Sequence, residues 1–431
     1  MNQSVNIRQQ LIRSFMGVGA MKLISIPIGL ATSIILARTL GPESFGQYAF
    51  AMALLPLLAL PVAGGVPQLL TREVARYSHA GQWSLYRGIV KGAYIWVLNI
   101  SLVVIVVSFV CGPLAGWMPT EGKWALLGII ILLVPLNGLN AIKNGTIKGL
   151  GFPAYSEVPS QLIQPITVLV LYAVLSHIGM LTTKSAVWTQ VVGASSAFLV
   201  ATFIFFKIRP KKTLVHKPVY TSRNWLIALF PFTLITLVNT FNTQVGIVLL
   251  GFLGTDEAVA AMRVGGRGAQ FVALSLGLVN VVISPHIVRA FNDADKKKLQ
   301  QLSRQSARAA FLIALPIGLV LILFGRPILE FAFGAEYVFI SYLPLVILVV
   351  GQLINVFFGS VGQLLSMSGH ERDTLLGQVF ALAINVVACT ILIPLYGAIG
   401  AAIGVSMGIV AWNVLLGILV VKRLNISPTA F

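Results

Sequence analysis

The sequence predicts an all-α polytopic membrane protein of about 12 transmembrane helices, arranged as two six-helix bundles. Three observations carry that expectation. Of 431 residues, 57% are hydrophobic and only 10% are charged, where soluble domains carry about 25% charged residues. Apolar runs close to 20 residues recur along the chain, long enough to cross about 30 Å of hydrocarbon. The basic residues fall on alternate loops, as in membrane proteins whose cytoplasmic loops collect Lys and Arg.

The spans are expected at 14–37, 46–68, 89–111, 124–143, 159–180 and 186–206, then at 225–252, 257–284, 307–325, 338–364, 374–394 and 398–421. The first follows Arg8 and Arg13 and runs on without a small-residue cleavage site, so it reads as a retained helix rather than a removed signal peptide. The second follows "LGPESFGQYA" and is separated from the third by "TREVARYSHAGQWSLYRG". The fourth and fifth are joined by "KNGTIKGLGFPAYSE", and "KIRPKKTLVHKPVYTSR" follows the sixth. In the second half, "VRAFNDADKKKLQQLSRQSAR" follows the eighth span and "SGHERD" the tenth. These loops and both termini, with Lys91 just past the first of the loops, hold 23 of the 30 Lys and Arg, against four (Arg38, Lys123, Lys184 and Arg326) on the opposite side. That asymmetry predicts that both termini face the cytoplasm. It also accounts for the formal charge of +18 without nucleic acid. The two cysteines, Cys111 and Cys389, make neither a disulfide framework nor a metal site.

The chain repeats itself. "LGPESFGQYA" begins at Leu40 and "LGTDEAVAAM" at Leu253, and at the same offset Arg76 matches Arg289. Six spans in each half give the halves the same orientation, related by a pseudo-two-fold along the membrane normal, an arrangement that places a transport site between the repeats. The expected organisation is an N-terminal bundle over 1–206, a basic cytoplasmic linker over 207–223 and a C-terminal bundle over 224–431.

More than a few residues from any span end, three basic residues fall inside expected spans, Lys22, Arg263 and Arg267, and no acid does. A cation at mid-membrane is costly and marks a functional position by default. Counted from Glu257, Arg263 lies about 9 Å and Arg267 about 15 Å into its helix at 1.5 Å per residue. The alternative roles are structural: Arg263 and Lys22 could snorkel to headgroups, and Arg267 could cap carbonyls within its bundle. The functional reading is a cationic lumen that attracts an anion such as phosphate or pyrophosphate, which Arg holds bidentately. Amides at membrane depth, Asn239, Asn242 and Gln244 with Asn137 and Gln164, are candidates for glycan contacts beside the simpler role of bonds between helices. "GAIGAAIGVSMG" spaces Gly400, Gly404 and Gly408 as a helix-packing face. Catalytic, metal and nucleotide motifs are lacking, so the chain is expected not to be an enzyme and to need no cofactor. Transport would be driven by an ion gradient, the substrate's own gradient or an external partner.

From "LARTLGPESFGQYAFAMALL" onward the sequence resembles the polysaccharide-transporter branch of the multidrug/oligosaccharidyl-lipid/polysaccharide exporter superfamily, which includes the O-antigen flippases. The likeness continues in order through "GGVPQLLTREVARY", "IKGLGFP", "NTQVGIVLLGFLGTDEAVAAMRVGGRGAQFVAL", "NVVISPHIVRAFNDADKKKLQ" and "LIPLYGAIGAAIG". The resemblance implies two six-helix bundles around a central cavity. It also implies translocation of a polyprenyl-pyrophosphate-linked oligosaccharide across the bacterial cytoplasmic (inner) membrane, with glycan polymerase machinery as a possible partner. Family members commonly carry lumen cations on the first and eighth helices, where Lys22, Arg263 and Arg267 stand here. Many relatives carry an acid in the second span where this chain has Ala63, so no ion-binding carboxylate is visible there. Two rival readings are a multidrug exporter of the same superfamily and a membrane glycan polymerase or ligase. Cationic drugs call for membrane-embedded acids, and an enzyme for a long outer catalytic loop; the sequence has neither.

Overall fold

The computed structural model describes residues 2–114, 122–210, 212, 215–293 and 295–430. The side chains of Arg8, Arg13 and Cys111, and residues 211, 213 and 214 of the expected linker, lie outside the described residues. Every regular element among the described residues is helical. They run α1 (Asn2–Leu58), α2 (Leu60–Ala63), α3 (Val66–His79), α4 (Trp83–Leu114), α5 (Leu127–Gly149), α6 (Pro153–Val158), α7 (Gln164–His177) and α8 (Thr183–Ile208). The second half holds α9 (Ser222–Leu253), α10 (Asp256–Asn292), α11 (Lys296–Leu323), α12 (Gly325–Phe333), α13 (Ala335–Phe358), α14 (Val361–Met367) and α15 (Glu371–Leu424).

Among the described residues ten helical stretches are long and apolar enough to cross a membrane, and two of these, Gly19–His79 with 61 residues and Glu371–Leu424 with 54, have length for two crossings each. That gives the twelve crossings the hydropathy pattern predicts. Both double stretches turn at a glycine in a conformation other residues avoid: Gly41 at φ +74° and Gly397 at φ +54°. Beyond Gly397 the chain doubles back on itself. A side chain at Gly400 would strike the Leu392 carbonyl, one at Gly404 would meet Cys389, and one at Gly408 would meet Asn385. Each pair of numbers sums to nearly the same value, the signature of an antiparallel hairpin, so the expected glycine face packs one half of α15 on the other.

The chain divides into two compact units: Met1–Leu40 with Ala51–Thr240, and Gly41–Phe50 with Phe241–Phe431. In the first, "GGVP" breaks the helix between α2 and α3. Gly65 adopts φ +76° because a side chain there would lie 2.7 Å from the Thr233 backbone nitrogen. Thr233 Oγ1 donates to the Gly64 carbonyl at 2.9 Å, and Trp225 Nε1 donates to the Tyr77 hydroxyl at 3.0 Å, so α9 begins packed on α3. Burying Val66, Leu70, Val74, Ile89 and Ile142 joins α3, α4 and α5 into one core. The incoming 215–221 segment is pinned to α4: Arg87 Nη1 donates to the His216 carbonyl at 2.8 Å and Val219 N to the Ser84 carbonyl at 3.1 Å.

In the second unit Ile283, Ile287, Leu299, Leu364, Leu416 and Val420 bring α10, α11, α14 and α15 together. The chain end is tied down as well. Arg308 Nε donates to the Ala430 carbonyl at 2.7 Å, and Gln300 Nε2 to the Ser427 carbonyl at 2.8 Å.

The helices run past the apolar stretches, and that corrects the charge census. Glu73 belongs to α3 and is 2% exposed, held by Arg76 Nη2 at 2.6 Å and Arg72 Nη2 at 3.0 Å. Lys143 belongs to α5 and is 5% exposed. Both read as loop residues in the sequence; Glu73 is paired with its neighbours Arg72 and Arg76 on α3, and Lys143 is enclosed by rings of α4 and α8.

Candidate functional site

α10 starts where capping chemistry dictates. The Thr255 side chain accepts from Ala258 N at 3.2 Å, and Asp256 and Glu257 sit in the first turn, where negative charge meets the positive end of the helix dipole. Two turns on, Arg263 and Arg267 lie four residues apart and share a face. Gly265 between them and Gly268 just beyond face elsewhere. A side chain at Gly265 would lie 3.0 Å from the Leu345 backbone nitrogen of α13, and one at Gly268 would run into the Leu345 side chain. At about 100° per residue Gly265 points roughly opposite to the arginines and Gly268 about a quarter turn from Arg267. The glycines therefore serve close packing against α13, which leaves the arginine face turned away from that contact.

What lies near the arginines comes from the start of the chain. Gly41–Phe50 packs into the second unit. Gly46 touches the Asp256 carbonyl so closely that no side chain fits, and Gly251 accepts the Phe50 ring in the same way. Phe50 meets Phe252 edge-on at 5.4 Å, and Phe45 meets Tyr337 at 6.4 Å. These contacts bring Tyr48, 6% exposed, into electrostatic contact with both Arg263 and Arg267. Arg267 Nη1 also donates to Gln270 Oε1 at 3.4 Å, one turn further along α10. The two guanidinium groups repel one another, and an anion spanning them would relieve that repulsion. Both arginines are half-buried.

Of the other expected residues, Asn242 and Gln244 lie in the second unit, while Lys22, Asn137, Gln164 and Asn239 lie in the first. Lys22 and Asn239 are exposed; Asn137, Gln164, Asn242 and Gln244 are half-buried. Asn242 Nδ2 donates to the Gln378 carbonyl at 3.1 Å, so this amide fastens α9 to α15. Gln164 follows a π-helical turn over Pro159–Ile163 and packs by Gly193 of α8. Tyr48 is the residue that sequence reasoning passed over. It stands inside "LGPESFGQYA", and its only sequence signal is that it lies in the repeated motif. Among the described residues no group of three or more His, Cys, Asp or Glu could hold a metal ion.

Comparison with known proteins places this geometry. The family model described as "Polysaccharide biosynthesis protein" matches residues 11–291. A probable low-salt glycan biosynthesis flippase, Agl15 of Haloferax volcanii, is 22% identical over 396 residues, covering 88% of this chain and 77% of that protein. The lipid II flippase MurJ of Burkholderia cenocepacia is 22% identical over 342 residues, covering 74% of this chain and 65% of MurJ, slightly under two thirds of its length. Among solved structures, a multidrug resistance MATE family transporter of the MOP superfamily, in an inward-facing conformation, has a TM-score of 0.76 at 14% identity. The match covers 94% of this chain and 98% of that one. The chain is a multi-pass helical protein with the two-lobe MOP fold.

Proposed function

Because the chain belongs to the polysaccharide biosynthesis protein family, we propose that it is a flippase for polyprenyl-pyrophosphate-linked oligosaccharide repeat units. These would be of the O-antigen or capsule type, moved across the bacterial cytoplasmic membrane by alternating access, with both chain ends in the cytoplasm. The observation that carries the reading is the paired face of Arg263 and Arg267 beside Tyr48. A guanidinium fork matches two phosphate oxygens at once, and two forks one turn apart suit a pyrophosphate. Lys22, in the first unit, is a further proposed substrate-binding cation. Asn239, Gln244, Asn137 and Gln164 are the proposed glycan contacts, and Asn242 ties α9 to α15. The polyprenyl tail stays in lipid. The expected bundles over 1–206 and 224–431, with the basic linker 207–223, differ from the compact units in that Gly41–Phe50 belongs to the second unit and the chain up to Thr240 to the first. The similarity to two flippases of glycan or glycan-lipid substrates supports the substrate class.

The multidrug reading fares worse on chemistry. A cationic drug needs an available acid, and Glu73, the buried acid among the described residues, is spanned by Arg72 and Arg76. The decisive experiment reconstitutes the purified protein in vesicles with a fluorescent polyprenyl-pyrophosphate oligosaccharide and follows its relocation between leaflets. The wild type should relocate the lipid without lengthening the glycan, and Arg267→Ala should abolish both relocation and surface glycan display at unchanged protein level. Normal relocation in Arg267→Ala would sink the arginine site, and a lengthened glycan would favour a polymerase instead.

A further inference from the structure

A second cluster of cations lies in the first unit, where α4, α5 and α8 meet. Lys143 of α5 is 5% exposed. Its ammonium sits 4.2 Å from the centroid of Phe205, 5.6 Å from Tyr94, 5.6 Å from Phe206 and 6.0 Å from Phe198. Such contacts attract a cation, and an aromatic box offsets part of the cost of burying it. Arg209, immediately past the end of α8, stacks over the same Phe206 ring at 4.6 Å. Its charge acts on both Lys143 and the Tyr86 phenol, and Tyr86 also interacts with Tyr94. Tyr86 is 3% exposed, and its hydroxyl has no hydrogen-bond partner. A buried, unpartnered hydroxyl in the field of Arg209, which also acts on Lys143, is costly as it stands. An anion accepting from all three would relieve it.

The surroundings identify what carries the anion. Trp188, Val192, Leu199, Phe203 and Phe206 are exposed, at 48%, 50%, 68%, 60% and 54%, and their spacing puts them on one face of α8. This apolar stripe runs along the helix and ends on the ring that holds both cations. Lys207 adds a further cation, 4.8 Å from the Phe203 ring. An apolar strip terminating in a cationic pocket matches an acyl chain and its phosphate. The basic loops assign this end of α8 to the cytoplasm, the leaflet where anionic headgroups attract Lys and Arg.

We propose that Tyr86, Lys143 and Arg209 form a binding site for the phosphate of an anionic phospholipid whose acyl chain lies along the exposed face of α8. The site lies wholly in the first unit and does not involve the arginines of α10. It makes the first unit sensitive to the lipid composition around it, whatever cargo the protein moves.

The test is native mass spectrometry on the purified full chain, with short-chain phosphatidylglycerol, phosphatidylcholine of the same chain length, or inorganic phosphate. Wild type should retain phosphatidylglycerol about tenfold or more over phosphatidylcholine, since each Lys or Arg near a headgroup adds several-fold. Lys143→Met should bring that preference to about threefold or below. Tyr86→Phe, which removes a single oxygen and keeps the ring packing, should cut it about threefold. It also serves as the test if Lys143→Met fails to fold. Equal retention of the two lipids by wild type overturns the site, as does an unchanged preference in Tyr86→Phe. Displacement of phosphatidylglycerol by inorganic phosphate at millimolar concentration overturns the lipid assignment, since a free anion makes no use of the α8 stripe.

Discussion

The arginines of α10 and the lysine of α5 are both cations at membrane depth, and the fold treats them oppositely. Arg263 and Arg267 are half-buried on a face turned from α13, with Tyr48 beside them. Lys143 is enclosed by four rings within about 6 Å. The difference follows from the two side chains. A guanidinium is a rigid planar fork that pairs two oxygens, whereas an ammonium is a point charge that π faces can surround. Depth alone therefore does not define a transport residue; what surrounds the charge does.

That contrast can be broken at several points. The largest effect is expected from Arg263→Ala combined with Arg267→Ala. Losing two charge-assisted contacts, each about 1.5–3 kcal/mol, should reduce glycan-lipid relocation in vesicles by about 100-fold or more. Activity within twofold of wild type would remove the α10 face from the mechanism. Arg267→Lys should cost about tenfold, because the charge stays while the fork is lost; full activity would show that charge alone suffices. Tyr48→Phe should cost about threefold through loss of one hydroxyl contact, read as a change in relocation rate with thermal stability unaltered. Lys143→Met should matter least, about twofold on relocation, because replacing a buried charge by an apolar side chain of similar length is often near neutral for folding. A loss as large as that of Arg267→Lys would erase the distinction between the two sites.

Particular residues show what was legible in advance. "AMRVGGRGAQ" announced itself because two arginines interrupt an apolar run, and the structure puts them on one helix face. Gly400, Gly404 and Gly408 announced a packing face and make one. Lys143 did not announce itself: it stands at the end of an apolar run, where a basic residue ordinarily marks a loop. Tyr48 was equally silent, since nothing local distinguishes a tyrosine that meets an arginine from one that fills space. Glu73 looked like a loop acid and is a buried one, because α3 continues to His79 and two arginines flank it.

By itself the sequence determined the helical class, the twelve crossings, the breaks at glycine and the presence of cations in the membrane. Transfer into lipid is a sum over consecutive residues, and a glycine at positive φ is a local backbone preference, so both are written along the chain. Only the tertiary structure decided how the cations of α5 and α10 are compensated. Tyr48 reaches Arg263 and Arg267 because Gly46 lets its segment touch the start of α10. Lys143 gains its cage from Tyr94 and from Phe198, Phe205 and Phe206, residues of two other helices. Compensation is an interaction between pairs at short range in space, and distance along the chain carries no information about it.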